Sequence, residues 1–303
     1  MENPDVDNLT VSLDPVHEDE LGKKNITLSI LRLDKIDPEI SGNKIFKLQF
    51  YLEEAICQQK KVVTFGGAYS NHLAATAVAC NRNNLNSIGI VRGEKASTLS
   101  HTLSFCEKRG MKLKFVNRED YKKKDDAEFN NKLHDEFGEY TLIPEGGFGI
   151  KGMYGAGKIS KYYDSNEYTH ICCPVGTGTT LAGLISKADK HVQLVGFNAL
   201  KGVYDFDERV FRLPGDKSSI HYRINNDFHF GGFAKKTSEL ITFMNTFYLR
   251  HNIPTDFVYT GKMMYGVFNL IKNNFFHSGS RILCIHTGGL QGNLSLPAGT
   301  LRF

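Results

Sequence analysis

Lys44 stands in Ser41-Gly42-Asn43-Lys44-Ile45-Phe46-Lys47-Leu48, where a small polar tripeptide gives way to a run with helical spacing. That spacing places one amine at a helix start and Lys47 one turn further along the same face. The positive end of the helix dipole and the neighbouring cation would both lower the Lys44 pKa from its reference of about 10.4. A lysine made partly neutral is a nucleophile suited to Schiff-base chemistry. A lone Lys after Gly-Asn is more often a solvated surface group, so its weight depends on what the rest of the chain provides.

Pro174-Val175-Gly176-Thr177-Gly178-Thr179-Thr180-Leu181-Ala182-Gly183 follows a strand-like run and opens a helical one. Such a turn offers several backbone N–H groups and three hydroxyls, which suits a phosphate monoester. Its third glycine lies too far on for a dinucleotide fingerprint, and three Thr with two Gly at the junction favour phosphate binding over an ordinary βα turn with a hydroxyl cap. Phe65-Gly66-Gly67-Ala68-Tyr69-Ser70-Asn71-His72 also joins a strand to a helix. There Ser70, Asn71 and His72 either cradle a carboxylate beside free N–H groups or simply cap the helix. Gly152 to Lys158 nearly spells a nucleotide-binding P-loop, but Ile159 occupies the place of the magnesium-binding Ser or Thr. Asp256 to Met264, with Tyr259 and Thr260, and Ile285 to Gly292, with Thr287, read as two further functional turns.

The elements that must position these residues alternate. Val62–Phe65, Ser87–Val91 and Met111–Val116 read as strands, separated by helical patterns over 73–80, 99–109 and a polar one over 120–136. A parallel sheet follows from that order. A Gly-rich stretch from 146 to 157 reads as a passage into a second α/β series, with strands at 170–173, 192–195 and 281–285 and helices near 181–190, 236–251 and 262–273. The expected organisation is a larger domain of residues 1–50 and 151–303 and a smaller one of 51–150.

In 303 residues, 41% hydrophobic and 23% charged with a net charge of +4, a substantial core is expected and disorder is not. The densest basic run, Lys122-Lys123-Lys124, is followed at once by Asp125-Asp126, which argues against nucleic-acid binding. Six cysteines without a CxxC pair or zinc spacing predict reduced structural thiols and no metal site. The acidic N-terminus is unlike a targeting segment and no apolar run spans a bilayer, so a cytoplasmic protein without a membrane partner is expected.

Taken in order from about Leu31 to Gly292, these motifs resemble the family of pyridoxal 5'-phosphate enzymes that contains D-cysteine desulfhydrase and 1-aminocyclopropane-1-carboxylate deaminase. The resemblance implies a two-domain, three-layer αβα fold of the tryptophan synthase β type (fold type II), a homodimer, a small amino-acid substrate and the cofactor between the domains. It makes Lys44 the Schiff-base lysine and Asn71 the partner of the ring's phenolic oxygen. Ser70, Asn71 and His72 would surround the substrate carboxylate. Gly176, Thr177, Gly178, Thr179 and Thr180 would hold the phosphate, Tyr259 would serve as an active-site phenol and Thr260 would neighbour the pyridine nitrogen. Deaminase-like members carry Glu at the Thr260 position and Leu at the Thr287 position, whereas the desulfhydrase pattern has hydroxyls at both. A carboxylate would keep a proton on the ring nitrogen and strengthen the electron sink, so hydroxyls fit expulsion of a thiolate better than opening of a cyclopropane. Many relatives have a Tyr where Phe233 stands. The implied reaction is β-elimination from D-cysteine to sulfide, pyruvate and ammonia, with the cyclopropane deaminase or a low-activity cofactor-binding protein as alternatives.

Overall fold

The computed structural model describes residues 5–206 and 221–303. Its strands carry the period-2 alternation that lets one run serve two cores. In chain order the regular elements are β1 (Leu13–Val16), α1 (Asp19–Lys24), β2 (Thr27–Arg32), α2 (Lys44–Cys57), β3 (Lys61–Gly66), α3 (Asn71–Arg82) and β4 (Ser87–Arg92). They continue with α4 (His101–Lys108), β5 (Met111–Val116), α5 (Arg118–Lys122), α6 (Ala127–Phe137), β6 (Tyr140–Ile143), α7 (Ile150–Gly157) and β7 (His170–Val175). The last are α8 (Thr179–Ile185), β8 (Gln193–Asn198), β9 (Tyr222–Asn225), α9 (Ser238–His251), α10 (Thr260–Lys272) and β10 (Arg281–His286).

Two sheets result, one ordered β1-β2-β10-β7-β8-β9 and one ordered β5-β4-β3-β6, parallel throughout except for the β1–β2 pair. On β10, Leu283 and Ile285 face one core while Ile282 and Cys284 face another. The first core also takes Phe46, Leu48 and Ala55 of α2, Val78 of α3, Met153 of α7 and Leu181 and Leu184 of α8, so it runs continuously between the two sheets. The second packs Met263, Met264 and Val267 of α10 and Phe247 of α9 on the opposite face of the larger sheet. α2 packs on β6 of the smaller sheet and on α7; it begins at Lys44 and crosses the expected 50–51 domain boundary.

The Gly-rich stretch departs from expectation. Residues 150–157 form α7, packed between α2 and α8, not an open passage. A Cβ on Gly155 would strike the Phe46 carbonyl, and one on Gly183 would lie 2.6 Å from the Met153 carbonyl and 2.7 Å from Gly157 N. Glycine is therefore used here for close helix contact, and the near P-loop has no loop in it. Lys158, its would-be phosphate lysine, pairs with Asp7 at 2.8 Å. The polar helix expected over 120–136 divides into α5 and α6, because Asn117 and Asp126 each start a separate helix. Among the described residues no helix is long and apolar enough to cross a membrane, and no cluster of His, Cys, Asp or Glu could hold a metal ion.

The approach to Lys44 is pinned from both sides. Asp37 accepts from Glu39 N and Ile40 N at 2.8 and 2.7 Å and pairs with Arg82 of α3 at 2.8 Å. Burial pushes the Asp37 carboxyl up, but the Arg82 guanidinium and the two backbone donors more than compensate and hold it below its ordinary value.

Candidate active site

Strand carboxyl ends and helix starts meet between the two sheets, the usual place for ligands in α/β proteins. Gly42 and Gly288 allow the closest approach. Gly42, at φ +77°, leaves no room for a Cβ beside the Thr287 carbonyl, and a Cβ on Gly288 would lie 2.8 Å from Gly42 Cα. Two backbones therefore touch where any other residue would separate them, and Asn43 N donates to Thr287 O at 3.2 Å. The short sequence before Lys44 is thus docked onto the turn after β10.

Lys44 is the first residue of α2, and its ammonium donates to Asn43 Oδ1 at 2.8 Å. Asn43 Nδ2 donates in turn to Thr180 Oγ1 at 2.8 Å, tying the amine to the turn after β7. The Lys44 pKa is lowered to about 8, chiefly by burial and against the pull of Asp256 and Cys173. The sequence had assigned this shift to the helix dipole and to Lys47; burial dominates, and it is Lys47 that carries the repulsion between the two amines. Lys47 is buried with its Nζ 3.5 Å from Thr177 Oγ1, and no carboxylate pairs with it among the described residues. Burial, and then Lys44, drive its pKa well down.

The turn after β7 places Thr177 Oγ1 2.9 Å from Thr179 Oγ1, with Gly178 at φ +84° starting α8. Thr179 and Thr180 are buried beneath it. Gly176 faces Tyr259, whose hydroxyl would lie 3.1 Å from a Cβ there. Burial, reinforced by Asp256, raises the Tyr259 pKa, so the phenol stays protonated.

Asp256 organises that corner, and sequence reasoning passed over it. Fully buried, it accepts from Val258 N and Tyr259 N at 2.9 Å, from Thr260 N at 2.8 Å and from Thr260 Oγ1 at 2.7 Å. Thr260 Oγ1 also accepts from Asp256 N at 2.8 Å. The single hydroxyl hydrogen of Thr260 is therefore committed.

From the smaller sheet, Ser70 caps α3 by accepting from Leu73 N at 3.2 Å, which leaves its own hydrogen free to donate. Asn71 Nδ2 donates to Gly289 O at 3.3 Å, while its Oδ1 is buried without a partner. That bond joins α3 to the turn bearing Thr287, beside Asp256. His72 is buried. Thr64 Oγ1 donates to Ile143 O at 2.7 Å, so at 2.8 Å it must accept from His72 Nε2–H, and Nδ1 is left as an unpartnered acceptor. Burial and the two lysines drive its pKa well below 6.5, so it is a neutral imidazole. The structure thus brings together Lys44, Ser70, Asn71, the turn Gly176, Thr177, Gly178, Thr179 and Thr180, and Tyr259, Thr260 and Thr287. It adds Asn43, Lys47 and Asp256. The spacing of Lys47 from Lys44 was a visible signal, whereas the role of Asp256 depends on contacts the sequence does not display.

An amine with a pKa near 8 has a measurable consequence. The rate at which Lys44 condenses with an added aromatic aldehyde such as pyridoxal phosphate to a visible chromophore should rise with pH, pass its midpoint near 8 and level off about a unit higher. Stopped-flow absorbance across that range checks it, and a profile still climbing steeply near pH 10 would place the reactive amine elsewhere.

No protein-family model matches the chain. It is 33% identical over 309 residues to the bifunctional D-cysteine desulfhydrase/1-aminocyclopropane-1-carboxylate deaminase, mitochondrial, of Arabidopsis thaliana, covering 92% of this chain and 76% of that protein. To the putative 1-aminocyclopropane-1-carboxylate deaminase of Thermotoga maritima it is 31% identical over 289 residues, covering 89% and 91%. Among solved structures it superposes on a 1-aminocyclopropane-1-carboxylate deaminase homologue with a TM-score of 0.78 at 24% identity, over 96% of this chain and 93% of that one. With its mixed α/β fold and paired parallel sheets, the chain belongs to the fold type II enzyme family of 1-aminocyclopropane-1-carboxylate deaminase and D-cysteine desulfhydrase.

Proposed function

We propose that the chain is a pyridoxal 5'-phosphate-dependent lyase that takes D-cysteine and water to hydrogen sulfide, pyruvate and ammonia. The observation that carries the cofactor assignment is Lys47, a buried amine whose charge no carboxylate offsets among the described residues. It faces the Thr177 hydroxyl, itself bonded to that of Thr179, and an amine so placed is kept charged by an anion. A phosphate group fits that donor set. Lys47, Thr177, Thr179 and the backbone N–H groups of Gly176 to Thr180 would hold it. Lys44 would anchor the cofactor covalently through its amine. Asn71 would meet the ring's phenolic oxygen with its remaining N–H. Bound there, pyridoxal phosphate supplies an electron sink for negative charge at the substrate α-carbon.

The other steps fall to the chain's own groups. The Ser70 hydroxyl and the free N–H groups at the start of α3 would orient the substrate carboxylate, with Thr287 nearby. His72, neutral and bonded to Thr64, would support that corner without adding charge. Lys44 Nζ, released from its covalent bond when the substrate amine takes its place and partly neutral near pH 8, would take the α-proton. Tyr259, held protonated, would donate to the departing sulfur. Thr260 has already given its hydrogen to Asp256, so it could offer a ring nitrogen only a lone pair. That supports a sink strong enough to expel a thiolate, but it is weak support for opening a cyclopropane. In this reading residues 1–50 and 151–303 form the larger, cofactor-holding domain and residues 51–150 the smaller. A cytoplasmic homodimer completes the proposal, with light scattering at twice the chain mass and cell fractionation as its checks.

Purified protein loaded with pyridoxal phosphate and mixed with D-cysteine should release sulfide and pyruvate in equal amounts. The second reading, deamination of 1-aminocyclopropane-1-carboxylate, is favoured by the name of the Thermotoga relative. Ammonia and 2-oxobutyrate from that substrate, with nothing from D-cysteine, would select it. Full cofactor occupancy without turnover of either would instead mark a cofactor-binding protein.

A further inference from the structure

Lys262, two residues beyond Thr260 on α10, is buried, yet none of the chemistry above uses it. No carboxylate pairs with it among the described residues. Its ammonium instead donates to two backbone carbonyls, His229 O at 2.8 Å and Gly232 O at 2.7 Å. A buried ammonium is costly, and an apolar side chain of the same length would fill the space at lower cost. Burial lowers its pKa to about 8, partly offset by Asp256.

The loop it holds is one that would not keep its shape unaided. Phe230, Gly231, Gly232 and Ala234 all have left-handed backbones, at φ 51°, 91°, 113° and 54°, and two of these are not glycine. Apart from Gly232 the stretch from 231 to 235 is exposed, so little packing constrains it. Both carbonyls that Lys262 grips also close turns inside the loop, accepting from Gly232 N and Lys235 N at 3.0 Å. Directly after the second grip, Phe233 projects half-exposed and packs edge-on against Tyr259, with ring centroids 6.0 Å apart and planes at 65°. Tyr259 in turn lies against Gly176. One continuous line of contact therefore runs from Lys262 through the loop backbone and Phe233 to the phenol.

We propose that Lys262 is a positioning residue: by clamping the carbonyls of His229 and Gly232 it sets Phe233 as an apolar wall beside Tyr259, and this wall biases the site toward a thiol side chain over a hydroxyl one. A thiol gives up little hydration on meeting an aromatic edge, whereas a hydroxyl loses hydrogen bonds that Phe233 cannot replace. The substrate preference rests on the proposed lyase reading; the clamp does not.

Two measurements keep these separable. Lys262→Met preserves volume and removes the donors. In the cofactor-loaded protein it should speed amide exchange of the peptide covering 229–235 by about tenfold or more while leaving α10 protected. The kcat/KM ratio for D-cysteine over D-serine should fall about three- to tenfold. Phe233→Ala, at an exposed position, should lower the ratio by a similar factor, and adding Lys262→Met to it should then change the ratio no further. Should Lys262→Met not fold, Lys262→Arg replaces it. The longer fork displaces the loop, and its effect on the ratio must likewise vanish in the Phe233→Ala background. Unchanged exchange overturns the clamp. A ratio shift that persists without Phe233, or a Phe233→Ala ratio equal to wild type, overturns the wall. Faster exchange in a protein that turns over neither amino acid upholds the clamp and discards the lyase reading with the thiol preference.

Discussion

Replacing Lys44 with Ala is expected to abolish the visible absorbance of the cofactor-loaded protein and to cut sulfide release from D-cysteine by on the order of 10³-fold or more. The geometry leaves no substitute. Lys44 is the amine at the meeting point of Asn43, Thr180 and the Thr287 turn, and its pKa of about 8 gives a sizeable neutral fraction at mildly alkaline pH. The next amine, Lys47, is directed at Thr177. Absorbance of gel-filtered protein checks the anchor and a sulfide assay checks the rate. A chromophore surviving in Lys44→Ala but lost in Lys47→Met would move the anchor one turn along α2.

Lys47→Met should divide binding from stability. Loss of a charge-assisted contact to phosphate is expected to weaken pyridoxal phosphate about 10- to 100-fold. The cofactor-free protein should become more stable, because Lys47 buries an amine whose charge no carboxylate among the described residues compensates. The sign can be worked through. The folded pKa of Lys47 lies well below 10.5, so between the two values the unfolded chain binds more protons, and stability rises with pH. The penalty is complete below the folded pKa and gone above 10.5. Lys44 contributes a slope of the same sign between about 8 and 10.5. Urea unfolding of the cofactor-free proteins should therefore show a shallower rise with pH in Lys47→Met than in wild type. Equal slopes, or a variant less stable than wild type, would mean that Lys47 has a partner compensating its charge.

Much of the candidate site was legible because its residues lie in short turns. Gly176 to Thr180 and Ser70 to His72 each lie where a strand ends and a helix begins, and local composition reveals that junction. The misreading of 150–157 has the opposite origin. Helix propensity disfavours glycine, so a run with Gly152, Gly155 and Gly157 reads as a linker. Contact with α2 and α8 overrides that preference, because only residues without side chains let three helices approach so closely. The cause of the Lys44 shift was misjudged for a related reason. Dipoles and neighbouring charges can be counted along a sequence, while desolvation is a property of everything packed around a group.

The sequence by itself determined the alternation of strands and helices, the lysine at the start of α2 and the hydroxyl-rich turn after β7, since each depends on residues within a few positions of one another. Only the tertiary structure decided that Gly42 touches Gly288, that Asn43 links Lys44 to Thr180, that Asp256 claims the Thr260 hydrogen and that Lys262 grips the loop of Phe233. These contacts join segments distant in the chain or depend on burial, and neither a distance across the fold nor the removal of water is encoded in local spacing.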